Sequence, residues 1–266
     1  MSGQLSVLKF GGSVLREEAD LPSAVAETQR FRRESGGVVV VVSAFFGLTD
    51  QLLERARQVS AAPDPGALAL LAATGELASV SLVTLALRAA GVPALPFDAT
   101  QLGLQTKGGL LEADPCGLAS DALRGALDAG SVAVVPGFVG RDAGGAISVL
   151  GRGGSDLSAV FIADQLHAQR VRLIKDVDGI FDRDPALPGP PARRFDSVTW
   201  EDAIRLGGDI VQERCLRYAQ QRGLEIEVAA WGSERATRVG SAPSCLEAPP
   251  ARVDVALPGR LAGALA

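Results

Sequence analysis

Residues 36–45 read GGVVVVVSAF. Five consecutive valines behind a glycine pair leave no alternation of apolar and polar positions. A β-branched run of this length suits a strand covered on both faces, and such strands belong to parallel sheets. The pattern recurs outward from it. Strands are expected at 5–10 (LSVLKF), 92–97, 131–138, 170–177 and, as the last, 224–231. Helices are expected at 16–34, 49–60, 66–90, 115–130, 155–168, 197–207 and 208–222. Within these, 66–90 is almost wholly apolar and so expected to be buried, Ser155 is placed as a helix cap, and Ser197 or Thr199 as another. Residues 139–150 read as a hairpin turning at Asp142–Gly145, and 98–115 as glycine-rich and irregular. Alternating strands and helices without an internal repeat predict an α/β fold, a three-layer sandwich around a mainly parallel central sheet.

The bulk numbers exclude several classes. The 266 residues carry a net charge of −5, with 5% aromatics and no basic run, which argues against a nucleic-acid partner. Cys116, Cys215 and Cys245 form no CxxC pair, so neither a zinc site nor a disulfide framework is indicated. His167, the single histidine, falls at a helix end, which disfavours a Ser–His triad. No signal peptide is read at the N-terminus, and no apolar stretch is expected to reach the ~20 residues that span a bilayer. The expectation is a cytoplasmic protein with no membrane partner.

In an open parallel sheet, ligands bind where strands end, and each strand here ends in a distinctive stretch. After the first comes KFGGS: Lys9, Gly11, Gly12 and Ser13. Backbone N–H groups of such a loop can line an anion, although two glycines also serve a plain tight turn. After the valine strand come Ser43 and Thr49, hydroxyls suited either to capping a helix or to orienting a substrate. After the hairpin comes LGRGGSDLSA (150–159), where a glycine bend, Arg152, a helix N-terminus and Asp156 converge. Arginine can grip a carboxylate through two parallel hydrogen bonds, and the helix end attracts anions. Asp156 in an anion site makes sense if it must hold lysines or a metal. After strand 170–177 comes KDVDGIFDRDP. Gly179 follows the second acid directly, so the stretch fails the EF-hand pattern and reads as a β-turn at Val177–Gly179.

Six pieces in this order, KFGGS, VVSAFFGLTDQL, TGE (74–76), VPGFVGRDAGG, LGRGGSDLSA and DVDGIFDRDP, resemble the amino-acid kinase superfamily, most closely the catalytic domain of aspartate kinases. The resemblance implies the amino-acid kinase (carbamate kinase-like) fold. It implies a catalytic domain over 1–240, with an acceptor lobe to about 150 and a nucleotide lobe over 151–240. It implies transfer of the ATP γ-phosphoryl to the aspartate β-carboxylate with Mg²⁺, the first step of Lys/Thr/Met biosynthesis, by a homodimer or higher homo-oligomer. Carried over residue by residue, Lys9 stabilises the transferring phosphoryl and Gly11, Gly12 and Ser13 line it. Ser43, Thr49, Glu76, Arg152 and Ser155 bind aspartate, Arg152 at its α-carboxylate and Glu76 at its α-amino group. Asp156 orients the lysines, while Asp176, Gly179, Phe181 and Asp184 lie along the nucleotide. No protein metal site is implied. A carboxylate needs no general base, so positioning and charge cancellation suffice.

The chain departs from that pattern on the nucleotide side. Lys175 stands where aspartate kinases have Thr, Phe181 where they have Tyr, Ala186 where they have Arg, and Ile210 where a Lys is usual. Lysine is scarce here, three against 23 arginines, and Lys175 is read as a catalytic, nucleotide-side replacement for a missing cation. This stretch looks more like the uridylate kinase branch, so a superfamily kinase for another small acid or phosphate acceptor is the alternative, and a weakly active regulatory homologue a third reading. About 25 residues follow the kinase-like region, too few for ACT domains, so regulation is expected from another site or a partner chain. The Pro/Ala-rich tail 241–266 reads as a linker or a docked arm.

Overall fold

The computed structural model describes residues 4–206 and 210–248. Its first half contains β1 (Leu5–Phe10), α1 (Leu21–Ser35), β2 (Gly37–Val42), α2 (Leu48–Val59), α3 (Pro65–Ala89), β3 (Ala94–Pro96), α4 (Ala99–Leu102), β4 (Leu104–Gly109) and β5 (Glu112–Leu118). Then come α5 (Asp121–Asp128), β6 (Val132–Pro136), β7 (Val139–Arg141), β8 (Ile147–Val149), α6 (Gly154–Leu166) and β9 (Arg170–Ile174). The chain continues through β10 (Phe195–Thr199), α7 (Trp200–Arg205), α8 (Glu213–Arg222), β11 (Ile226–Ala229), β12 (Thr237–Gly240) and β13 (Cys245–Leu246).

Among the described residues, nine strands form one sheet in the order β13-β10-β12-β11-β9-β1-β2-β6-β3. Only β11–β12 and β10–β13 pair antiparallel in it. The valine strand β2 lies between β1 and β6, parallel to both, and Val38–Val42 are all at most 1% exposed. Burying each such side chain contributes roughly 1.5–3 kcal/mol. The period of two sends Val7, Val39 and Val41 to one face, against α5, α6 and α8, and Leu8, Val38 and Val40 to the other, against α1 and α3. Helices therefore cover both faces, and the fold is the three-layer α/β sandwich expected. A second sheet, β5-β4-β7-β8, sits apart from it.

Several expectations are corrected. Residues 98–115 are not irregular: α4 and the hairpin β4–β5 occupy them. Leu104 and Thr106 are buried between exposed Gln105 and Lys107, an alternation too short to stand out. Residues 115–118 belong to β5, so the next helix starts only at Asp121. Ser155 does not cap α6; the cap is Gly153, whose φ of 71° favours glycine. Ser197 lies in β10, while Thr199 caps α7 by accepting from the Asp202 N–H at 3.1 Å. Helix α8 begins at Glu213 rather than 208, and residues 207–209 lie outside the described ones. Strand 224–231 is not the last. β12 and β13 follow, and β13 fastens the start of the tail onto β10; residues 249–266 lie outside the described ones.

Helix α3 overturns two further expectations. Its 25 residues are long and apolar enough to cross a membrane by length and composition. In the fold it packs on the sheet and against α1 and α2, and it buries Glu76, Ser79 and Thr84. It is not wholly buried either: Leu70 is 58% and Leu85 62% exposed. An apolar helix without a polar stripe does not announce in sequence which side faces out.

Candidate active site

Lys9 is the penultimate residue of β1, and Lys175 follows β9 directly. The two strands are parallel neighbours, with Lys9 opposite Leu173. Alternation sends Lys9, Leu173 and Lys175 to one face, the face covered by α6. Asp156 sits in the first turn of α6. Lys175 Nζ donates to Asp156 Oδ2 at 2.7 Å, and Lys9 Nζ is paired with Oδ1 at 2.7 Å. All three side chains are at most 10% exposed. Burial alone would push the Asp156 carboxyl up, but the charges of Lys175 and Lys9 hold it down to about 2. Burial lowers the Lys9 ammonium, with the Asp156 charge opposing that shift.

Glycines let the loops close on this group. A Cβ on Gly11 would overlap the Lys9 ammonium, and one on Gly12 would crowd the Ala44 carbonyl at 3.2 Å. Gly137 and Gly154 sit where a Cβ would meet Ser155 and Phe138. The β6 exit, the β7–β8 hairpin and the start of α6 are thereby pressed together.

Two cavities flank the Lys9–Asp156–Lys175 group. One, of about 740 Å³, is lined by Lys9, Gly12, Ser43, Thr49, Glu76, Arg152, Ser155 and Asp156. Arg152 is exposed there and makes no hydrogen bond or ion pair with the other described residues. Glu76 is 2% exposed, and its Oε2 has no partner among the described residues. Burial pushes its carboxyl up to about 8, opposed only in part by the Ala44 backbone and the Lys9 charge. The second cavity, of about 470 Å³, is lined by Lys175, Asp176, Phe181, Asp184 and Ile210, among others. Ser13 borders both.

The structure thus brings together all the residues singled out, with two distinctions. Gly11 lines neither cavity and lies beneath Lys9. Gly179 (φ 112°) also lines neither; a Cβ there would collide with Thr237 and Arg194, so it shapes the turn from behind. The bend spans 176–179. Ala186 is exposed, its N–H donating to Asp184 at 2.8 Å. Among the described residues, no three Asp, Glu, His or Cys side chains are placed to hold a metal ion. His167 is the exposed C-cap of α6.

Sequence reasoning missed Phe138. It lines the first cavity with φ 66°, a left-handed conformation rare for a bulky residue, and its N–H donates to Ser158 Oγ at 2.9 Å. Positive φ at a non-glycine residue leaves no mark in sequence. Arg214 was also missed. It donates to Leu150 O, to Ala113 O at 2.9 Å and to Asp114 at 2.8 Å, tying α8 to the β4–β5 hairpin and the glycine loop.

The sequence matches the amino acid kinase family over residues 4–230. An aspartokinase of Pseudomonas aeruginosa is 35% identical over 227 residues, 84% of this chain and 55% of that protein. The chain spans little more than half the length of the relatives it matches in sequence. The crystal structure of aspartate kinase from Synechocystis superposes with a TM-score of 0.77 at 32% identity, over 90% of this chain and 40% of that one. Aspartokinase III of E. coli, crystallised with aspartate and ADP, superposes with a TM-score of 0.78 at 23% identity, over 90% of this chain and 65% of that one.

Proposed function

The chain belongs to the amino acid kinase family, and on that premise we propose that it is an aspartate kinase, transferring the ATP γ-phosphoryl to the aspartate β-carboxylate. One observation carries the reading: the Asp156 carboxylate joins two lysines at the border of two cavities. Among the described residues, the first cavity offers an arginine without a hydrogen bond or ion pair and a buried glutamate with one unpartnered oxygen. That pair suits an α-amino acid. Arg152 takes the α-carboxylate in bidentate fashion and Glu76 the α-ammonium, while Ser43, Thr49 and Ser155 supply hydroxyls. The β-carboxylate is left pointing toward Lys9. The second cavity then takes ATP along Asp176, Phe181 and Asp184. On this reading the acceptor lobe is built mainly from residues before about 150 and the nucleotide lobe from those after, with Arg152 and Ser155 reaching into the acceptor cavity.

In the reaction a β-carboxylate oxygen bonds the γ-phosphorus as the bond to the ADP oxygen breaks, giving aspartyl phosphate and ADP. No proton need be removed from the nucleophile. Lys9 and Lys175 cancel charge developing on the transferring group, and Asp156 fixes them so that no reorganisation is needed. Mg²⁺ fits here as an ion carried by the nucleotide phosphates and water, which is its usual preference over an all-protein cage. When bound it neutralises phosphate charge. Aspartate kinase activity supplies the first step toward Lys, Thr and Met, and we assign it to the cytoplasm, where ATP is at hand.

We further propose a homodimer through α3. Its exposed Leu70, Thr74, Ala78, Ser81 and Leu85 form one uncharged stripe. The stripe is symmetric about the Leu77–Ala78 peptide, so an antiparallel copy sets Leu70 against Leu85 and Thr74 against Ser81. The same arrangement brings the acidic end at Asp64 toward the basic end at Arg88 of the second copy, as an isologous contact requires.

The deciding assay mixes the chain with aspartate, ATP and Mg²⁺ in hydroxylamine, which traps an acyl phosphate as the hydroxamate. Aspartyl hydroxamate is the expected product. Its absence, with ADP released on another acceptor such as a nucleoside monophosphate, overturns the reading.

A further inference from the structure

Arg194 is 6% exposed and sits behind the 176–184 segment that lines the second cavity. Its stem packs on Gly179, where a Cβ would lie 3.0 Å from Arg194 Cδ. One guanidinium nitrogen, Nη1, donates to the Asp178 carbonyl at 3.2 Å and to Asp178 Oδ2 at 3.4 Å. The other, Nη2, donates to Glu247 Oε1. Nε is buried without a partner among the described residues. Among the described residues Arg194 is the donor to the Asp178 carbonyl, whereas Ile180 and Asp182 are held by Thr237 and Arg193.

Glu247 reaches Arg194 because β13 pairs with β10, Leu246 opposite Phe195, and because the Glu247 N–H donates to the Arg194 carbonyl at 2.9 Å. Its second oxygen lies 3.6 Å from Arg235 Nη1. A buried guanidinium needs its carboxylate partners, and removing one leaves an uncompensated charge. Arg194 then has two choices: to draw closer to Asp178, or to leave it for solvent. Either shifts the turn at Asp178–Gly179, which the Ala230 N–H also holds through Asp178 Oδ1 at 3.4 Å, and with it the adjoining Asp176 and Val177 at the cavity wall.

We infer that Glu247 is a positioning residue for the nucleotide, acting through Arg194 on the Asp178 turn. The inference rests on the reading of this cavity as the nucleotide site. It makes Glu247, directly after β13 and 53 residues from Arg194 in sequence, a part of the nucleotide site rather than an edge decoration of the sheet.

The test is calorimetric titration of the whole chain with Mg·ADP and, separately, with aspartate, alongside thermal unfolding, for wild type, Glu247→Gln and Glu247→Ala. Glu247→Ala is expected to weaken Mg·ADP about tenfold and leave aspartate affinity unchanged. Glu247→Gln, which keeps an acceptor oxygen for Arg194, should fall between the two. Unchanged Mg·ADP affinity in both variants overturns the inference. So does an equal loss of both ligands that tracks a fall in Tm, the signature of a purely structural role. If the alanine variant does not fold, the glutamine variant decides alone. Wild type that binds aspartate but no Mg·ADP removes the nucleotide reading itself, and this inference with it.

Discussion

Lys175 meets Asp156 at 2.7 Å on one carboxylate oxygen, while Lys9 pairs with the other. The aspartate is therefore a strut between two cations from neighbouring strands. It is not the acid complementing a helix dipole that its place in the first turn of α6 would also allow. Lys175 borders the second cavity and Lys9 the first, so the two lysines have separable tasks.

Replacing Lys175 with Met should raise KM for ATP or lower kcat by about 10- to 100-fold, with little change in aspartate binding. Lys9→Ala should cost kcat at least as much, with the fold intact by circular dichroism. Steady-state kinetics with each substrate varied in turn separates the two. A Lys175→Met enzyme with both constants unmoved would reduce Lys175 to a strand-end charge.

Asp156→Asn should destabilise the chain by about 3–5 kcal/mol at neutral pH, because two buried ammonium groups lose their counter-charge. The sign with pH follows from the lowered pKa. Asp156 contributes fully above its ordinary value of 3.8, and the contribution is lost as pH falls toward about 2. Chemical denaturation at pH 7 and again at pH 3 should show the gap between wild type and variant narrowing in acid. A gap that stays constant would mean Asp156 is not ionised in the fold.

How much of this could be read beforehand varies with the physics. The valine run of β2 declares a twice-covered strand by itself. Each strand-end motif marks a cavity wall, because in a parallel sheet loops converge at the carboxyl ends. The β4–β5 hairpin and β12 escaped because they are short, partly exposed strands with little apolar alternation. Phe138 escaped because backbone strain is set by its neighbours, here the close packing of Gly137 and Gly154. The unusual state of Glu76 was equally hidden. TGE specifies a carboxylate, but its desolvation comes from the walls around it.

Glu76 should impose a pH profile on acceptor binding. With its carboxyl near 8, much of the free protein holds it neutral at pH 7, yet an α-ammonium group requires it ionised. KM for aspartate should fall as pH rises from about 6.5 to 9, and Glu76→Gln should flatten that profile while weakening aspartate. Stability runs the other way. A carboxyl raised above its ordinary 4.5 favours the fold most below that value and costs stability as pH rises through about 8. Glu76→Gln should thus unfold at a higher Tm than wild type at pH 8.5, with the advantage vanishing near pH 4.5. A pH-independent KM in wild type would contradict this.

The stripe on α3 gives the last expectation. Leu85→Glu places a charge at 62% exposure, so in a monomer it should shift stability by less than about 0.5 kcal/mol. In the proposed dimer it meets Leu70 of the second copy and is buried there without a partner, a cost of several kcal/mol counted twice by symmetry. Sedimentation velocity should show wild type as a dimer and Leu85→Glu as a monomer, with the thermal transition of the variant now independent of concentration. Leu70→Glu should behave the same way, since the antiparallel pairing makes the two positions one contact. If either substitution leaves a dimer intact, the stripe is not its interface. If wild type is itself a monomer at micromolar concentration, the exposed leucines serve no self-pairing at all.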